Sequence, residues 1–130
     1  MSSARSATVL VVDDEPSIRL LCRVNLELEG YTVLEAATVP AARELLATAN
    51  GAIDVVLVDV HIAGHDGRDL VRELRARGEL PRCALVTGSV QLSPDDRAGA
   101  DDVIEKPFSL ETLVSTVRRL AERDVDSSTS

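Results

Sequence analysis

Five residues with reactive side chains stand at the ends of otherwise apolar runs. TVLVVDD ends in Asp13 and Asp14, DVVLVDV carries Asp59, RCALVT ends in Thr87 and DVIEK ends in Lys106. Asp is a poor strand former and expensive to bury, so core packing explains none of the three carboxylates. Brought within several ångströms of one another, they repel, and each resists ionisation. A hard divalent cation removes that penalty; Mg²⁺ takes one or two carboxylates with carbonyls and waters, and leaves positions for a phosphoryl oxygen. Lys106 adds a compact positive charge and Thr87 a hydroxyl donor. Aspartyl phosphates are an established covalent intermediate, so Asp59 could be a nucleophile toward phosphorus, assisted by positioning and charge neutralisation. Singly, the residues have plainer uses. Asp13 and Asp14 could cap a helix, Lys106 could be a solvated strand end, and Thr87 an ordinary β-branched strand residue. Their shared placement favours the chemical reading.

Bringing them together requires a parallel sheet. Thr8–Val12, Thr32–Ala36, 54–60, Arg82–Thr87 and 103–106 read as strands, several of them apolar without alternation, as strands buried on both faces are. Helical signals fall between them. Pro16 suits a first turn, Ile18, Leu21, Val24 and Leu28 recur at helical spacing with Cys22 beside them, and Gly30 ends the segment. Pro40 opens a second helix with Ala41, Leu45 and Leu46 on its apolar face, stopped by Asn50 and Gly51. IAGHDG reads as a loop with Asp66-Gly67 as its turn signal, and Leu70, Val71 and Leu74 mark a third helix to about Arg77. Ser93-Pro94-Asp95-Asp96 starts a fourth, cut to one or two turns by Gly99. Ser109 caps the last, whose stripe is Leu110, Leu113, Val114, Val117 and Leu120. Five alternations predict an α/β fold with helices on both faces of the sheet. In such sheets ligands gather beyond the carboxyl ends of the strands, where all five reactive residues fall.

The 130 residues suit one domain: an irregular tail at 1–7, the domain at 8–123, and DVDSSTS at 124–130 as a disordered tail or the start of a linker. Apolar residues make up 45%, yet the only aromatics are Tyr31 and Phe108, so the core must be aliphatic. Lys and Arg number 14 against 22 Asp and Glu, a net charge of −8 that argues against direct nucleic-acid binding. Cys22 and Cys83 have no metal-site spacing and read as small reduced core residues. No apolar run approaches the ~20 residues that span a bilayer, and no signal-peptide pattern opens the chain. No membrane insertion and a cytoplasmic location are the corresponding expectations.

VLVVDDEP, VVLVDVHIAGHDG, ALVTGS and VIEKPF, in this order and each with its own strand, resemble the receiver domain of two-component response regulators over residues 8–121. The resemblance implies a flavodoxin-like doubly wound sheet of five parallel strands, order 2-1-3-4-5, with five helices. It implies that Asp59 is the phospho-acceptor. Mg²⁺, with Mn²⁺ as a substitute, would be held by the side chains of Asp14 and Asp59, by the backbone carbonyl of His61, and by Asp13 through water. Thr87 would bind a phosphoryl oxygen and move on activation, and Lys106 would pair with the phosphoryl group. The donor would be a phosphohistidine on a sensor histidine kinase or a phosphotransfer protein, with small acyl phosphates as substitutes. A further protein would read the output, and the chain would be a monomer or weak homodimer. Its catalysis would be confined to its own phosphorylation and dephosphorylation, with no external substrate.

Several positions depart from the family pattern, and two of them, Val103 and the short fourth helix, fall on its usual output surface. Ile62-Ala63 stands where Met-Pro is common. His61, two residues past Asp59, either tunes phosphoryl lifetime or is simply an exposed loop residue. His65 reads as loop. Val103 replaces the usual Tyr or Phe three residues before the lysine, which leaves the readout to backbone and Val103 packing, and the fourth helix is short. Two other functions remain open at this level: a receiver-shaped binding module that works without phosphorylation, and a metal-dependent phosphohydrolase.

Overall fold

A computed structural model describes residues 7–62, 64–88 and 92–129. The main strands are β1 (Thr8–Val12), β2 (Thr32–Ala36), β3 (Val55–Asp59), β6 (Arg82–Thr87) and β7 (Asp102–Glu105). They form one parallel sheet in the order β2-β1-β3-β6-β7, which is 2-1-3-4-5 when only its own strands are counted. This is the flavodoxin-like arrangement expected.

Alternation along each strand feeds two separate apolar layers. Leu10, Val12, Val56, Val58, Cys83 and Leu85 face one side, where α2 (Val39–Ala49) and α3 (Gly67–Arg77) cover them. Val9, Val11, Val55, Leu57, Ala84 and Val86 face the other, under α1 (Pro16–Leu28) and α5 (Leu110–Thr129). Both layers are aliphatic apart from Tyr31 and Phe108 at the edge of the second. Cys22 and Cys83 are buried free thiols in these layers. Among the described residues, no helix is long and apolar enough to cross a membrane.

The helices follow their local chemistry. The Thr38 side chain caps α2, and Ser93 caps α4 (Pro94–Gly99) in a reciprocal box with Asp96. At six residues α4 is as short as Gly99 suggested. In α5, Leu113, Val117 and Leu120 are buried as expected, whereas Leu110 is largely exposed.

Three readings need correction. The core face of α1 is not Leu21, Val24 and Leu28: Cys22 and Leu26 are buried, Ile18 packs against their layer, and the other three are exposed. The helix is apolar on two sides, so spacing alone could not choose between them. The loop after Asp59 contains a small antiparallel pair, β4 (His61–Ile62) with β5 (His65–Asp66), turned at Gly64 with a φ of 81°. Finally, α5 continues through residues 124–129, which composition marked as an unstructured tail. Extending an existing helix is far cheaper than nucleating one. The expected N-terminal tail, apart from Ala7, lies outside the described residues.

Candidate functional site

Strand register places the reactive residues at one edge. Val12 is level with Val58, so Asp13 and Asp59 follow side by side on adjacent strands. Asp59 is level with Val86, which puts Thr87 one step beyond, and Thr87 is level with Glu105, which puts Lys106 next. The backbone N–H of Lys106 donates to the Thr87 carbonyl at 2.7 Å, joining the two ends. Asp13, Asp59 and Thr87 are buried, and Asp14 is exposed.

Lys106 draws the group together. Its Nζ lies 2.9 Å from Asp59 Oδ2, 3.4 Å from Asp13 Oδ2 and 3.8 Å from Glu15 Oε1. The second oxygen of Asp59 accepts from the His61 N–H at 3.1 Å, and that of Asp13 accepts from the Glu15 N–H at 2.9 Å. The helix-capping reading of Asp13 and Asp14 therefore fails: α1 begins at Pro16, and its N-cap position is Glu15, which makes no side-chain cap. Burial raises the Asp13 pKa above the ordinary carboxylate value, helped by the charge of Asp59 and opposed by Glu15 N–H and Lys106. For Lys106, burial works toward the neutral form, but Asp59 and Asp13 outweigh it and the pKa is raised.

One carboxylate oxygen from each of Asp13, Asp14 and Asp59 lies within 4.8 Å of the others. An all-oxygen set with one exposed member suits a hard cation that keeps open positions.

Two supporting residues escaped the sequence reading. Arg19 Nη1 donates to the Asp13 backbone carbonyl at 2.6 Å, while its Nε is held by Glu35 at 3.2 Å. Its position one helical turn into α1 was the available signal. Gly67, read only as a turn residue, starts α3 so close to β3 that an added Cβ would sit 2.0 Å from the Asp59 carbonyl oxygen. Its N–H donates to the Val60 carbonyl at 2.8 Å. Beyond the hairpin, Arg68 forks between Asp66, at 2.5 Å, and Asp96 of the α4 capping box, at 3.0 Å; Arg72 reaches Asp96 as well, at 3.0 Å. His61 is exposed beside Asp59, and Val103 packs half-buried against the layer under α2 and α3.

The family model described as the response regulator receiver domain matches residues 9–118. The chain belongs to this family. The receiver domain is similar to the transcriptional regulatory protein AruR of Pseudomonas aeruginosa, at 39% identity over 88% of the chain and 49% of AruR. It is 35% identical to the transcriptional regulatory protein KdpE of Mycobacterium tuberculosis over 89% of the chain and 51% of KdpE. With the sensor kinase CckA of Brucella abortus it shares 36% identity over 91% of the chain but only 13% of that kinase. The chain thus spans about half the length of the regulators and a small part of the kinase. A receiver domain from Clostridium thermocellum superposes with a TM-score of 0.83 at 26% identity, over 91% of this chain and 96% of that one. TrrA of Thermotoga maritima, solved in complex with Mg(2+)-BeF, superposes with a TM-score of 0.78 at 29% identity, over 88% and 98%. Because AruR and KdpE are named transcriptional regulators, the expectation of no nucleic-acid contact drawn from net charge finds no support here.

Proposed function

We propose that this receiver domain is a phosphorylation-dependent switch in which Asp59 accepts a phosphoryl group from a phosphohistidine on a sensor histidine kinase or phosphotransfer protein. The observation that carries the reading is Lys106 Nζ held between Asp59 and Asp13, at 2.9 and 3.4 Å. A binding module that had dispensed with phosphorylation has no use for a lysine pressed between two carboxylates at a sheet edge.

In the transfer, an Asp59 carboxylate oxygen attacks phosphorus. The bond between phosphorus and the donor imidazole nitrogen breaks, and its electron pair stays on that nitrogen. Lys106 is placed to follow the negative charge from carboxylate to phosphoryl oxygens. The His61 N–H orients the acceptor, and the Thr87 hydroxyl is assigned a phosphoryl oxygen. Mg²⁺, held by Asp14, Asp59 and the His61 carbonyl and through water by Asp13, would neutralise phosphoryl charge. Return to the resting state is attack of water on phosphorus, which releases inorganic phosphate and restores the Asp59 carboxylate. The His61 side chain, exposed two residues past Asp59, is assigned control of lifetime.

An apolar recess of about 460 Å³, lined by Ile18, Leu21, Gly88, Pro107 and Phe108, opens beside Lys106 and suits the donor protein's approach. With Val103 in place of an aromatic ring, the output is assigned to backbone shifts at Thr87 and to α4. A cytoplasmic site of action follows from the donor chemistry.

The test is intact mass after incubation with acetyl phosphate and Mg²⁺. One added phosphoryl group, lost in Asp59→Asn and in chelator, is expected. No mass gain together with no beryllofluoride adduct would sink the proposal.

A further inference from the structure

Asp13 and Asp14 are joined by a single peptide group. Asp13 is buried and Asp14 exposed, yet one carboxylate oxygen of each lies within 4.8 Å of the other and of one from Asp59. The tilt of the peptide between them therefore governs where both carboxylates point. That peptide is gripped from α1. Arg19 Nη1 donates to the Asp13 carbonyl at 2.6 Å, a charge-assisted bond from the first turn of the helix. Asp13 is fixed on its other sides as well: its N–H donates to the Ala36 carbonyl at 3.1 Å, and its carboxylate accepts the Glu15 N–H at 2.9 Å.

Arg19 is itself held. Its Nε donates to Glu35 Oε1 at 3.2 Å, and Arg23 Nη1 donates to Glu35 Oε2 at 2.8 Å. Glu35 stands on β2 level with Val11, just short of the acids. The Arg19 side chain is only 17% exposed. An arginine that merely tied α1 to β2 would need Glu35 alone; this one extends a second arm to the backbone of a site residue. Glu35 also offsets the guanidinium charge, so Arg19 can stand beside a cation site with its repulsion of the ion reduced.

We propose that Arg19, locked by Glu35, is a positioning residue for the cation site: it holds the peptide between Asp13 and Asp14 so that both carboxylates converge with Asp59 on one ion. The inference rests on the reading of these acids as the Mg²⁺ site. Its signature is a sign. By charge alone, removing a cation from beside the acids tightens metal binding. Removing a group that orients the ligands weakens it, by roughly tenfold or more.

The test is titration of the full chain and its variants with Mn²⁺, read as loss of the free-ion electron paramagnetic resonance signal, with Mg²⁺ added as competitor. The parent should bind, and Asp14→Asn should lose the competed binding, which locates the ion. Arg19→Gln should weaken it roughly tenfold. Arg43→Gln, which breaks an exposed pair with Glu73 between α2 and α3, should leave it unchanged. Arg19→Lys keeps the charge but cannot fork between Asp13 and Glu35, so it should fall between the parent and Arg19→Gln. Circular dichroism melts in chelator establish that each variant is folded, and Arg19→Lys carries the test if Arg19→Gln does not fold. A folded Arg19→Gln that binds as tightly as the parent, or more tightly, overturns the proposal and leaves the site reading intact. An unchanged affinity in Arg19→Lys, where it carries the test, does the same. Binding that is absent from the parent, or indifferent to Asp14→Asn, overturns the site reading and this inference with it.

Discussion

Lys106 Nζ and Asp59 Oδ2 stand 2.9 Å apart although 47 residues separate them in sequence, and Lys106 takes Asp13 into the same contact at 3.4 Å. The cation sits beside the charge of Asp59, the proposed acceptor, and where a transferred group's charge would be. Lys106→Ala should therefore slow phosphorylation by acetyl phosphate by roughly tenfold or more, measured by the rate of mass gain. Its raised pKa fixes the sign with pH. The stability it contributes is fully present below its unfolded value of 10.5 and is lost as pH rises through the higher folded value. Chemical denaturation at increasing alkaline pH should show this loss in the parent and not in the variant.

Asp13 stores the opposite tension. Burial, with Asp59 nearby, raises its pKa, so its ionised form weakens the metal-free fold. Stability from this group is complete below 3.8 and falls as pH rises through the higher folded value. Asp13→Asn should raise the melting temperature by a few degrees in chelator near neutral pH. The same variant should lose much of the stabilisation that added Mg²⁺ gives the parent, which a melt series with increasing Mg²⁺ would reveal.

Gly67 sets how closely α3 can approach the acceptor strand. A Cβ there would stand 2.0 Å from the Asp59 carbonyl oxygen and 2.8 Å from Val58 Cγ2, both in packed surroundings. Gly67→Ala should cost about 1–3 kcal/mol in urea unfolding. Phosphorylation should fall in the fraction that remains folded, because the displaced carbonyl belongs to Asp59, the proposed acceptor.

The thiols should be silent. Burial pushes Cys22 up to about 11, helped by the charge of Asp13, and burial pushes Cys83 up to about 12. Neither is a thiolate at neutral pH, and neither is exposed. A disulfide reagent should modify both only at the rate of opening, and both promptly in denaturant. Fast labelling of either in the native protein would contradict the packing described.

The sheet was readable because its strands are apolar without alternation and each reactive residue interrupts such a run. Strand limits differed by one residue where polar ends compete: Asp54 accepts from the Thr8 N–H instead of joining β3, and Asp102 joins β7. The acid cluster was legible from Asp13, Asp14 and Asp59 alone. Arg19 and Gly67 were harder to read, since one acts through a backbone carbonyl, with only its place one turn into α1 to mark it, and the other acts through an absent side chain. The misassigned face of α1 has the same root. Periodicity reports that a side of a helix is apolar, not what lies against it.

The Arg68 fork has a mechanical meaning. One guanidinium grips Asp66, at the foot of the hairpin that follows the acceptor, and Asp96, inside the cap of α4. These two grips act in series, like a tie rod between a hinge and a shutter. His61 is paired across the hairpin to Asp66, so a chain of contacts runs from the loop after Asp59 to the start of α4 without passing through β7. The chain, with Val103 where the family commonly has an aromatic ring, thus carries an ion-paired connection from the Asp59 loop to α4 that does not involve Val103.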